Sequence, residues 1–224
     1  MRIDAVFWGG HPSRLNPTQE NRMRCSPLRG LRYTLLAIGA ILISTPSTLK
    51  AQMKSTTSSS SELDAARAAL AKYSDPVVAV RDGYLSTLAC VDFSEPVTDG
   101  PVSYPPGAMG VHFLNASYIG PNLDPTKPQI LIYEPVGDKL VLAGAEWFVP
   151  LQVAGNSAPS IFGQQLAGPM DGHEPIIPAS LRHYDLHVWL WKDNPKGMFT
   201  STNAALKCTP GATYTLDMAK HHAH

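Results

Sequence analysis

Three residues of this 224-residue chain have the types and settings that do chemistry: His112, Glu146 and His187. Each falls in strand-like sequence. Glu146 interrupts the apolar run Leu140–Val149, where a buried carboxylate is costly unless it is paired or ligated. His112 follows Gly107-Ala-Met-Gly110, and His187 lies within Tyr184–Trp191. Two imidazoles and a carboxylate are a ligand set for zinc or non-haem iron, so a divalent metal is the cofactor that this set would take. The same three residues also suit a hydrogen-bond network in a core, with Tyr73, Tyr84 or Tyr133 donating to Glu146. Strand alternation around His187 sets Leu186, Val188 and Leu190 on one face and Asp185, His187, Trp189 and Trp191 on the other. That second face suits a small-molecule pocket with Asp185, Trp189 and Trp191 as ligand-binding residues. It equally suits a sheet face covered by a helix.

Other chemistries lack their signatures. There is no glycine-rich phosphate loop, no G-x-S-x-G elbow and no H-E-x-x-H pair. The histidines of His221-His-Ala-His224 suit a solvated tail or a stray cation. Asn115-Ala-Ser117 matches a glycosylation triplet. Basic and acidic residues balance at 18 each, so no global field draws the chain to nucleic acid.

That balance hides an asymmetry. Residues 1–51 hold seven basic and two acidic residues, and the remainder holds eleven and sixteen. Six of the seven basic residues precede the twelve-residue apolar run Tyr33–Ser44, which Pro46 follows. A spanning helix needs about 20 residues and a signal-peptide core roughly 7–15. Residues 1–51 therefore read as an N-terminal extension and signal peptide cleaved after Ala51, with a compact version starting at Met23. The expected product is exported, periplasmic or secreted, with no stable membrane span after cleavage. Its two cysteines, Cys90 and Cys208, would pair in an oxidising compartment.

The elements that must position these residues follow from periodicity. Residues 52–61 read as a flexible polar leader. Glu62–Tyr73 is Ala-rich and helical, and Asp75 and Pro76 cap and start a second helix reaching about Thr87. Residues 92–110 and 150–180 read as Pro- and Gly-dense loops. Strands are expected at Val111–Leu114, Ile130–Tyr133, Leu140–Ala143, Glu146–Val149 and Tyr184–Trp191, with a hairpin turn at Pro135–Asp138. Helices first and strands after argue for an α+β fold: N-terminal helices packed on a curved antiparallel sheet of four to six strands. The globular domain would span 62–208, and 209–224 would be a disordered, His-containing tail.

The segments Gly107-Ala-Met-Gly-Val-His112, Leu131-Ile-Tyr-Glu-Pro135 and Leu186–Phe199 (LHVWLWKDNPKGMF) carry a resemblance. From about Tyr73 to Cys208 the chain resembles a group of exported bacterial proteins of unknown function. The resemblance implies export and a compact domain, and it supplies no activity. Three readings of function stay open: a small-molecule or metal binder with a sheet-lined pocket, a metal-dependent enzyme using the His/Glu/His set, and a structural or interaction module without a pocket.

Overall fold

A computed structural model describes residues 47–155 and 157–221. The proposed signal peptide up to residue 46, the Met23 start, His222 and His224 lie outside the described residues. The first helix, α1, runs Ser47–Leu70. It thus includes the segment expected to be a flexible leader, and it begins at Ser47 instead of Glu62. No proline or glycine interrupts Ser47–Leu70, so the helix favoured by the Ala-rich half can propagate backwards. A 3-10 turn follows at Ala71–Ser74, and then α2, Pro76–Arg81. Asp75 caps α2 by accepting from the Val77 N–H at 2.9 Å.

Helix α2 stops six residues short of the expected Thr87. Strand β1 already occupies Leu85–Phe93. Gly83, at φ +95°, breaks the helix. Tyr84 turns into the core, whereas Leu88 is 79% exposed.

The remaining elements are β2 (Val97–Asp99), β3 (Val102–Tyr104), β4 (Gly107–Leu114), β5 (Ile130–Val136), β6 (Lys139–Pro150), α3 (Leu151–Ala154), β7 (Ser160–Ile161), β8 (Gln164–Gln165), β9 (Ala167–Met170), β10 (His183–Val188), β11 (Thr215–Asp217) and α4 (Met218–His221). Seven strands form one curled sheet in the order β11-β1-β4-β5-β6-β10-β9, more than the four to six expected. Its pairs are antiparallel except for β1 and β11, which run parallel. The stretch after residue 208 therefore contains an edge strand and a short helix instead of being wholly disordered. The two long loops hold the β2–β3 and β7–β8 hairpins and β9. Strand β6 fuses the two strands expected on either side of Gly144, and the hairpin turn falls at Gly137–Asp138.

The two faces of the sheet differ. Tyr133, Trp147 and Leu186 belong to the main apolar core, with Leu70 and Tyr73 of the helical segment. Tyr133 Oη donates to the Tyr73 carbonyl at 2.7 Å, and Arg67 Nε donates to the Leu190 carbonyl at 3.2 Å. These bonds fix the helical layer to that face. Trp147 packs edge-on against Phe162, with ring centroids 4.7 Å apart. The opposite face carries the polar residues. A smaller apolar cluster, including Val91, Tyr104, Met109 and Met170, flanks it.

Cys90 and Cys208 form a disulfide, with Cα atoms 5.7 Å apart. It joins β1 to the segment leading into β11. Asn115 is buried. Its Nδ2 donates to the Asp82 carbonyl at 3.0 Å and its Oδ1 accepts from the Ser117 N–H, so the glycosylation triplet is a capping structure. Among the described residues no helix is long and apolar enough to cross a membrane.

Candidate metal centre

Strand register builds the site. Leu114 pairs with Ile130, Ile130 with Glu146, and Glu146 with His187, so one row crosses β4, β5, β6 and β10. Directly paired residues point to the same face, and alternation places His112 on the face of Leu114, and Asp185 and His183 on the face of His187. Glu146 thus stands on a central strand between two paired neighbours. Gly110, two residues before His112, has φ +79°, and a Cβ there would lie 2.5 Å from the Tyr133 carbonyl oxygen. Only glycine lets β4 approach β5 this closely and carry His112 toward Glu146.

The three side chains meet. His112 Nε2 lies 3.3 Å from Glu146 Oε2, and His187 Nε2 lies 3.4 Å from the same oxygen. Their ligand atoms all fall within 4.8 Å of one another. Glu146 is 3% exposed and His187 2%. Glu146 Oε2, both ring nitrogens of His187 and His112 Nδ1 are buried without a hydrogen-bond partner. Buried polar groups normally have partners, so such a concentration of orphans calls for a physical cause.

Electrostatics divide the carboxylates. Burial would raise Glu146, but the histidines around it outweigh burial, His187 foremost, and hold it at about 2. Burial pushes His187 down to about 4, against the pull of Glu146. Asp185 moves the other way: burial and the Glu146 charge raise it well above the usual carboxylate range. At neutral pH the site therefore offers an ionised Glu146 beside a neutral His187, the protonation states that a metal ligand needs.

A cavity of about 60 Å³ opens at this cluster, lined by His112, Glu146, Asp185 and His187, with His173 and Ile176 from the loop above. Asp185 lines it, whereas Trp189 and Trp191 do not. Strand β10 ends at Val188, so strand alternation cannot be extended to the tryptophans. The Trp189 N–H donates to the Met198 carbonyl, and its Nε1 donates to the Thr200 carbonyl at 2.7 Å. Trp189 stacks beside His187 with ring centroids 6.1 Å apart, while Trp191 faces a separate depression with Ala71 and Leu140.

Two further histidines belong here that were not singled out from the sequence. His183 and His173 form, with Asp185, a second group whose ligand atoms lie within 4.8 Å of one another. For His183 the signal was present: His183, Asp185 and His187 alternate and must share a face. For His173, in a loop, there was none. Burial lowers His183 and brings His173 down to about 3. A larger open cleft of about 450 Å³, lined by Asp99, Asp171 and Glu174 among others, contains no histidine.

No protein-family model matches this sequence, and neither a curated protein nor a solved structure matches it significantly.

Proposed function

We propose that this protein binds a divalent metal ion, of the zinc or ferrous class, through His112, Glu146 and His187. One observation carries the reading: a single buried carboxylate oxygen faces two imidazole nitrogens at 3.3 and 3.4 Å and has no hydrogen-bond partner. Charge-assisted N–H···O bonds run at about 2.7–2.9 Å. Ligand atoms about 2.0–2.1 Å from a tetrahedral ion are about 3.3–3.4 Å apart. The spacing therefore suits a cation among the three atoms better than direct hydrogen bonds.

Three protein ligands leave a coordination position open toward the cavity. Its volume of about 60 Å³ is room for about two waters, or for one small polar ligand in their place. This favours a second reading, a metal-dependent enzyme in which the ion activates a bound water or small substrate. Asp185 Oδ1 stands 3.9 Å from His187 Nδ1, beyond hydrogen-bond reach, and brings a second carboxyl group to the wall of the cavity.

Export completes the proposal. The basic and apolar N-terminal sequence, the resemblance to exported bacterial proteins and the disulfide all support it. N-terminal sequencing of the exported protein should find Gln52 first; intact residues 30–51 would refute cleavage there. The metal reading is tested by metal analysis of protein purified without an affinity tag, with the terminal histidines replaced. His112→Ala and Glu146→Gln should each remove one bound equivalent. Unchanged stoichiometry in both variants would refute the site.

A further inference from the structure

The polar face holds more unpartnered nitrogen than one ion can use. His183 is fully buried, and its Nδ1 lies 3.0 Å from the Leu181 carbonyl oxygen. A carbonyl only accepts, so Nδ1 carries the proton and Nε2 carries the lone pair. That nitrogen has no hydrogen-bond partner and faces Asp185 Oδ2 at 3.8 Å. The separation is too long for a proton to be shared.

His173 completes the set. Both its ring nitrogens are buried and unpartnered. Its ring stands edge-on to His183, with centroids 5.6 Å apart. The loop beneath it is tied down: the N–H groups of Ile176 and Ile177 both donate to the His173 carbonyl at 2.9 Å, and the Ala179 N–H donates to Glu174 Oε1. His173 is thus held over the sheet by a bonded turn.

We propose that His173, His183 and Asp185 form a second divalent-metal site, adjoining the first across the Asp185 carboxylate. Two imidazoles and one carboxylate again suit zinc, cobalt or ferrous ions rather than calcium or magnesium, which take oxygen ligands. The backbone-bonded Nδ1 of His183 is the arrangement that orients a metal-ligating histidine. The two sites share no ligand. Asp185 turns Oδ2 toward His183 and Oδ1 toward His187, at 3.8 and 3.9 Å. A surface cleft of about 270 Å³, lined by Val102 and Thr200 among others, runs along β10 at Asp185, Leu186 and His187.

Cobalt(II) titration tests this on the full chain with His221, His222 and His224 replaced by alanine, read by visible absorption and by bound metal after gel filtration. Two equivalents are expected. His173→Ala and His183→Gln should each leave one, which a further His112→Ala removes. His173 is on a loop, so its variant remains informative if the His183 variant fails to fold. One equivalent that survives undiminished in both variants would overturn the second site. One equivalent lost in His173→Ala but kept in His112→Ala would support the second site and overturn the first. No bound cobalt would overturn both.

Discussion

Glu146 and His187 stand directly opposite each other on β6 and β10, and the carboxylate oxygen that faces His187 Nε2 at 3.4 Å also faces His112 Nε2 at 3.3 Å. One oxygen serving two rings makes Glu146 the centre of the set. Glu146→Gln keeps the shape and removes the charge. Its expected effect is to remove the first site's share of the metal-induced rise in Tm, leaving that of the second, and to lower the metal-free Tm at neutral pH, because a carboxyl held at about 2 by its histidine neighbours stabilises the fold in its ionised form. For a ligand at 100 times its Kd, the lost rise corresponds to about 2.7 kcal/mol. Differential scanning fluorimetry with and without zinc reads this, and a variant that keeps the full zinc-induced shift contradicts the role given to Glu146.

The Cys90–Cys208 bond closes a loop with a sequence separation of 118 residues. Loss of a native disulfide from a small secreted domain costs about 2–5 kcal/mol. Cys208→Ser should therefore lower the Tm by many degrees, and reduction of the wild-type protein should lower it similarly. Mass spectrometry after alkylation of denatured, unreduced protein should find Cys90 and Cys208 unmodified; finding both labelled would rule out the bond.

Asp92 and Asp217 pair side by side across β1 and β11, and they respond oppositely to pH. Burial and the Asp217 charge raise Asp92. The folded form then holds the Asp92 proton more tightly than the unfolded chain does, so this contribution to stability is present at low pH and lost as pH rises through the raised pKa. Asp217 is lowered: burial opposes the shift, but hydrogen bonds from Ser94 and the Lys220 ion pair outweigh it. Its contribution is present above the unfolded pKa and is lost as pH falls through the depressed one. At pH 7, Asp92→Asn should raise the Tm and Asp217→Asn should lower it, and both differences should shrink toward pH 3. Melting curves across this range test the pair, and a stabilising Asp217→Asn at neutral pH would contradict the assignment.

Gly172 precedes His173 in the loop over the site. A Cβ at this position would overlap the Pro178 carbonyl oxygen. Gly172→Ala should displace the turn that holds His173 and remove the second metal equivalent, while the first equivalent remains. The cobalt titration reads both at once. A variant that retains two equivalents would show that the loop does not hold a ligand in place.

Much of the site could be read from residue types because strand parity is local. Asp185 and His187 had to share a face of β10, and Glu146 stood out as a charge inside an apolar run. Register could not be read: Glu146 meets His187 only because β6 pairs with β10, a contact decided by the whole sheet. The start of β1 reads as helix because Val77, Val80, Tyr84 and Leu88 recur at helical spacing, and the break between helix and strand rests on the single residue Gly83. Strand β11 is three residues long and depends on β1 for its bonds, so nothing in its own sequence announces it. His173 reaches the site through loop hydrogen bonds, which leave no periodic trace.

All six residues of β10 are buried, and they alternate strictly between two environments: His183, Asp185 and His187 toward the polar cluster, and Tyr184, Leu186 and Val188 toward the apolar core. A slip of one residue against β6 would exchange the two sets. It would press an aspartate and two histidines into the layer under the helices, and it would leave leucine and valine where the carboxylate waits. The core thus proofreads the site. Any slip by an odd number of residues is opposed by hydrophobic packing before a metal ion is present, so the apolar face of β10 helps to decide which way its ligands point.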